Sequence, residues 1–316
     1  MAAMPTKQVD IILTFAASAS RPLSETSNKE FYLKEGLEGQ KHHEYSDGKS
    51  FTSVIESRVG ELCAGNFKAG QYVVFHSVKQ SNIEYIGGIR NDYYKELRFM
   101  HFPADKILIV KIVLGMLDDL VTTDFTDLLK RKIAHMGPDC GLGNLRSAAF
   151  KGMLGLKEPD VSLKPRFARP NLADWPTLVF ECGIKESLER LKVDSRWWLE
   201  DHGRAVNIVL LFTTSRSEKK IHIEQWELSP VPNPQLEVTT GGHPSSPILP
   251  PTRTCQIDIL PSGTSGAPLT LSFEKIFLRP PIEALGEGDI VLTGKELQDY
   301  AARIWDFWQA VMQSSD

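Results

Sequence analysis

The chain has 316 residues, 41% of them hydrophobic and 24% charged, a balance that builds a core and excludes a disordered chain. Lys and Arg total 36 against 40 Asp and Glu; the net charge of −4 excludes a uniformly basic nucleic-acid coat but leaves room for a local basic groove. The longest apolar stretch, Ile107 to Leu117, is broken by Lys111 and is too short to span a bilayer, so no membrane partner is expected.

Cys63, Cys140, Cys182 and Cys255 stand 77, 42 and 73 residues apart, without a CxxC or Cys/His cluster. This spacing argues against structural zinc and against a disulfide framework, and fits a reducing interior, cytoplasm or nucleus. Near the start, Lys7 and the apolar run to Ala16 have the outline of a secretion signal, but the run is short and Asp10 sits in it. An initial β-strand is the better reading.

Residues 1–105 read as an α+β accessory region that could also recruit a protein partner. Asp47-Gly48 marks a turn. Ser50 can cap a helix carrying Phe51, Val54, Ile55, Val59 and Leu62 at helical spacing. Gln71 to Val78 is rich in Tyr, Val and Phe and predicts a strand; Glu84 to Ile89, punctuated by Gly87-Gly88, predicts a second. His42, His43 and Glu44 lie in a polar, turn-rich segment and read as a solvated loop rather than a metal site.

From Lys106 the texture changes. Ile107 to Met116 predicts a buried strand, and Thr123 to His135 a helix stopped by Gly137-Pro138. Leu142 to Leu156 fits no single period. Lys157 to Leu163 and Thr177 to Cys182 predict strands, Ser187 to Asp201 a helix, and Ala205 to Phe212 and Ile221 to Leu228 two more strands. This order over residues 106–228 implies a mixed α/β core. Residues 229–267 are a loop or insertion, with seven prolines in the 23 residues from Ser229 to Pro251. Residues 268–316 add strands and a last helix, opened by the capping box Thr293 to Glu296.

The chemistry concentrates in Lys157-Glu158-Pro159-Asp160, twenty residues, then Glu181-Cys182-Gly183. Each acid opens or closes a predicted strand. Paired strands would set Asp160 and Glu181 side by side at one end of a sheet, a hard-oxygen pair suited to Mg²⁺ or Mn²⁺. Between Lys130 and Pro170, nine basic residues face three acids, an excess of six positive charges that would suit a phosphodiester backbone. Lys157, Lys164, Arg166 and Arg169 are the candidate phosphate contacts. Trp197 and Trp198 read as packing residues.

These blocks resemble the PD-(D/E)XK, or restriction-endonuclease-like, nuclease superfamily. With Trp175 to Gly183, Glu186 to Leu188, Asp194, Trp197 to Leu199 and Glu224 to Glu227, they resemble uncharacterised fungal members of it. The resemblance covers about Ile107 to Leu228 and leaves out residues 1–105. It implies a mixed sheet flanked by helices and metal-dependent hydrolysis of DNA or RNA. The implied metal ligands are Asp160, Glu181 and the backbone carbonyl of Cys182, assisted by Asp119 with Asp118 beside it. Gly183 stands where the family places its lysine. The resemblance then implies a displaced cation: Lys185, which shares a strand face with Glu181, or Lys192 or Arg196 on the next helix. The missing lysine equally supports an alternative, an inactive nuclease-like fold that binds nucleic acid or protein.

Overall fold

A computed structural model describes residues 25–68, 70–113, 116–215, 217–229 and 249–313. The initial strand expected before Ala16 and most of the proline-rich segment lie outside the described residues.

The first part of the chain alternates helix and strand: α1 (Glu25–Lys34), β1 (His42–Glu44), α2 (Gly48–Cys63), β2 (Tyr72–His76), α3 (Gln80–Tyr93), β3 (Leu97–Phe102) and β4 (Ile107–Ile112). Then come α4 (Met116–Ile133) and four short strands, β5 (Leu142–Asn144), β6 (Phe150–Lys151), β7 (Leu156–Lys157) and β8 (Val161–Pro165). A strand–helix–strand unit follows: β9 (Leu178–Ile184), α5 (Leu188–Glu200) and β10 (Ile208–Ser215). The chain finishes with β11 (Lys220–Leu228), β12 (Pro251–Leu260), β13 (Gly263–Ser265), β14 (Leu269–Leu271), α6 (Phe273–Phe277), β15 (Ile290–Leu292) and α7 (Gly294–Gln313).

Two mixed sheets carry the fold. The first runs β1-β2-β4-β3-β7-β6, with β1 and β2 parallel. The second runs β13-β12-β11-β10-β9-β8-β5, with β9 and β10 parallel across the α5 crossover. Both are flanked by helices, so the expected α/β class with mixed sheets holds.

Side-chain alternation along the strands explains the layering. In β2, Val73 and Phe75 pack with Phe51 and Ile55 of α2, while Tyr72 and Val74 face the other way, toward Leu191, Trp197 and Trp198 of α5. In β9, Val179 joins that same α5 layer, while Leu178, Phe180 and Cys182 turn to a third cluster built on α4 and α7. The α5 layer is thus the joint between the two sheets. β4 has Leu108 and Val110 on the outer face and Ile109 on the joint face, so Lys111 projects into the joint.

Several expectations change. Glu84 to Ile89 is helical, inside α3, not a strand. Ile86 is fully buried, and added methyls on Gly87 and Gly88 would meet nothing within 4 Å, so the glycine pair lies on an open helix face. The cap of α2 is Asp47, which accepts the Ser50 amide at 2.8 Å, and Ser50 is the reciprocal member of the box. His42 to Glu44 pair with β2 rather than looping, and the His42 and His76 ring nitrogens lie 2.8 Å apart. The expected boundary at residues 105 and 106 falls inside the β3–β4 hairpin, which ties the accessory region into one sheet with residues 107–112. The last helix follows the pattern: Leu297, Tyr300, Ala301, Ile304, Trp305 and Trp308 are buried, and the Thr293–Glu296 box forms.

Candidate functional site

β8 and β9 pair in antiparallel register, Val161 opposite Phe180, which brings Asp160 at the start of one strand beside Glu181 in the middle of the other. Asp160 is locked to the sheet by the Cys182 amide, which donates to its Oδ2 at 2.7 Å. Glu181 is 0% exposed and Asp160 7%. The two acids are therefore together, as their spacing implied.

The cation that meets them is Lys111. Its Nζ donates to Asp160 Oδ2 at 2.6 Å and to Glu181 Oε2 at 2.7 Å. Burial alone would push this ammonium toward neutrality, but the two carboxylates outweigh burial and hold its pKa above the ordinary lysine value. Glu181 Oε1 accepts the Trp198 indole N–H at 2.8 Å and faces Lys157 Nζ at 3.3 Å. Lys157 continues to Asp194 Oδ2 at 3.2 Å, which also accepts the Tyr72 hydroxyl at 2.9 Å. Arg190 reaches Asp194 Oδ1 at 3.3 Å. Burial raises the Asp194 carboxyl, yet Lys157, Arg190 and Lys111 together hold it below the usual range. Arg98 lies 3.5 Å from Asp160 Oδ1, and Arg90 pairs with Glu158.

The joint thus carries four carboxylates (Asp160, Glu181, Asp194, Glu158) and five cations (Lys111, Lys157, Arg190, Arg98, Arg90). A divalent ion needs an excess of negative donors, and this set has none. The position shared by Asp160 and Glu181 is held by an ammonium. Among the described residues, no group of three or more His, Cys, Asp or Glu side chains is arranged to hold a metal. The residues as placed do not fit Mg²⁺ or Mn²⁺.

Position 183 has no room for a side chain. A methyl built on Gly183 would lie 2.7 Å from Gln71 Oε1 and 3.2 Å from Leu191. Gln71 is fully buried and bonded at both ends of its amide, accepting from the Ile184 N–H at 2.7 Å and donating to the Ile112 carbonyl at 2.9 Å. It fills the space a lysine stem would need.

The other expected site residues are dispersed. Lys185 is exposed and pairs with Glu218 at 3.1 Å; Lys192 pairs with Glu189 at 2.7 Å within α5; Arg196 pairs with Glu200 at 2.8 Å. Neither Lys185 nor Lys192 pairs with Asp160 or Glu181; the ammonium between those acids is that of Lys111. Asp119 sits at the rim of the cluster, 3.9 Å from Arg98; burial and the nearby Asp160 and Glu96 raise its carboxyl pKa, opposed by Arg98. Of the four candidate phosphate contacts, Lys157 and Lys164 are buried, the first in the ion network and the second bonded to the Asn171 carbonyl. Arg169 is spent on the carbonyls of Trp175, Pro176 and Ala205. Arg166 alone of the four is exposed. The local basic excess is thus partly interior, and buried cations with internal partners cannot meet a phosphodiester. Trp197 and Trp198 are fully buried packing residues, as expected. None of the four cysteines is joined in a disulfide, and no helix among the described residues is long and apolar enough to cross a membrane.

No family model matches the chain, and no curated protein does. Among solved structures it is similar to one from Anabaena variabilis described as a "putative nuclease belonging to DUF820", with 12% identity, a TM-score of 0.34, and coverage of 64% of this chain and 90% of that one.

Proposed function

We propose that the protein is a non-hydrolytic binding protein on a nuclease-like α/β fold, and that its carboxylate pair ties two sheets together instead of holding a metal. The observation that carries this reading is the Lys111 ammonium, seated between Asp160 and Glu181 at 2.6 and 2.7 Å. It neutralises the donors a metal would use. The centre is also buried: Lys111, Asp160 and Glu181 are 3%, 7% and 0% exposed, which leaves little surface for a phosphodiester. An ion pair made of side chains from both sheets is suited to fixing how they dock, a use attested for some buried polar groups.

A second reading has its own support. One oxygen from each carboxylate reaches a common point, so Asp160 and Glu181 could share a metal ion if Lys111 withdrew. The protein would then be a Mg²⁺- or Mn²⁺-dependent nuclease acting on DNA or RNA, with Lys111 as the cation beside the scissile group. One experiment separates the two: cleavage of single- and double-stranded DNA and RNA with Mg²⁺ or Mn²⁺, with Mn²⁺ titration calorimetry on wild type and Asp160→Asn. The binding-protein reading expects no cleavage and identical, negligible Mn²⁺ heats. Metal-dependent cleavage that disappears in Asp160→Asn overturns it.

A further inference from the structure

Ile112 follows Lys111 along β4 and faces the other side of the strand. There it lines a cavity of about 940 Å³ between the two sheets' edges, large enough for a drug-sized ligand. Its walls include Val59 and Leu62 of α2 together with Phe67, Leu97, Ile112 and Ile184. It opens at the carboxyl ends of the parallel strands β9 and β10, where Ile184 and Ser215 end their strands. Ligands of α/β sheets bind outside such strand ends.

The lining has a marked charge bias: Glu56, Glu96, Glu186 and Glu218 against Lys185 alone. Glu56 accepts from the Tyr94 hydroxyl at 2.6 Å, and Glu218 is paired with Lys185. Glu96 and Glu186 are exposed and their carboxylates have no partner among the described residues. An apolar body with a cationic end complements these walls and these acids; an anion meets an excess of three negative charges.

We propose that this cavity binds a hydrophobic organic amine, its apolar body against the half-buried Val59 and Phe67 and its ammonium at Glu96 and Glu186. The proposal uses no property of the Asp160–Glu181 centre, so it stands or falls apart from any metal chemistry there.

The test is titration calorimetry of the full chain with three probes sharing one body: 4-phenylbutylamine, 4-phenylbutanol and 4-phenylbutyrate. Two exposed carboxylates should favour the amine over the alcohol by up to about tenfold at low salt, with the acid weakest. Added salt should shrink that preference, because exposed charges are screened. The variant Glu96→Gln/Glu186→Gln should bring the amine to the alcohol's affinity and leave the alcohol unchanged. Gly60 also lines the cavity, and a methyl added to it would meet nothing within 4 Å, so Gly60→Phe should take up part of the space and weaken both amine and alcohol. Equal affinity for amine and acid, or binding untouched by Gly60→Phe in a variant that melts like wild type, overturns the proposal. So does binding of a basic amphipathic peptide with none of the amine.

Discussion

Replacing Lys111 with methionine keeps an unbranched apolar stem and removes one charge from the joint. Two buried carboxylates then lose the donor at 2.6 and 2.7 Å. Breaking a buried ion pair from one side costs about 3–5 kcal/mol, mostly for the uncompensated charge left behind. The low end applies here, because each acid keeps other partners: Cys182 N–H and Arg98 for Asp160, Trp198 and Lys157 for Glu181. We expect Lys111→Met to lose about 3 kcal/mol at neutral pH in urea unfolding followed by tryptophan fluorescence. Removing the whole group, as Lys111→Met/Asp160→Asn/Glu181→Gln, should recover most of the loss, since a buried ion cluster often exchanges for neutral groups at little net cost. A loss under about 1 kcal/mol would refute the assignment of Lys111 as the counter-ion of this pair.

Gly183→Ala should cost about 1–3 kcal/mol in the same assay, because its methyl would displace Gln71 and break both amide bonds. The double variant with Gln71→Ala should cost less than the sum of the singles, and strict additivity would mean the two do not touch. At the β11–β12 edge, His222 Nδ1 lies 2.7 Å from Asp258 and Nε2 3.5 Å from Glu224. Burial pulls the imidazole pKa down, but bonds to the two carboxylates outweigh it and raise it, while Glu224 is held at about 2. A raised folded pKa gives stability that is full below the unfolded histidine value and lost as pH climbs through the folded one. His222→Gln should therefore cost about 1–2 kcal/mol at pH 5.5 and much less at pH 9; an equal cost at both would mean the ring is neutral throughout.

The elements visible in the sequence were those whose burial follows one period. β9 and β10 are buried almost throughout, and α5 and α7 keep their apolar faces at helical spacing. α3 was misread because its pattern is dominated by two glycines, while Ile86 is its single fully buried residue. β5, β6 and β7 are two or three residues long, shorter than any period. For the site, the pairing of Asp160 with Glu181 was legible because both acids lie in or beside strands that neighbour each other in sequence. Their partners Lys111 and Arg98 come from the other sheet, at separations that local pattern does not encode.

Yet one signal for Lys111 stood in the chain. It interrupts Ile107 to Val113, a run apolar enough to be buried on both faces. A lysine in such a strand cannot reach water by bending its stem, so it must find a buried acid. Asp160 and Glu181 were acids already placed in or beside predicted strands that neighbour each other. Read together, a trapped cation and a trapped pair of anions demand one another, because either alone would cost several kcal/mol. That demand also explains why the accessory region cannot be a loose appendage. β4, which the accessory region's β2 and β3 flank in one sheet, supplies the charge that buried Glu181 requires, so docking of the first sheet and neutralisation of Glu181 are one event.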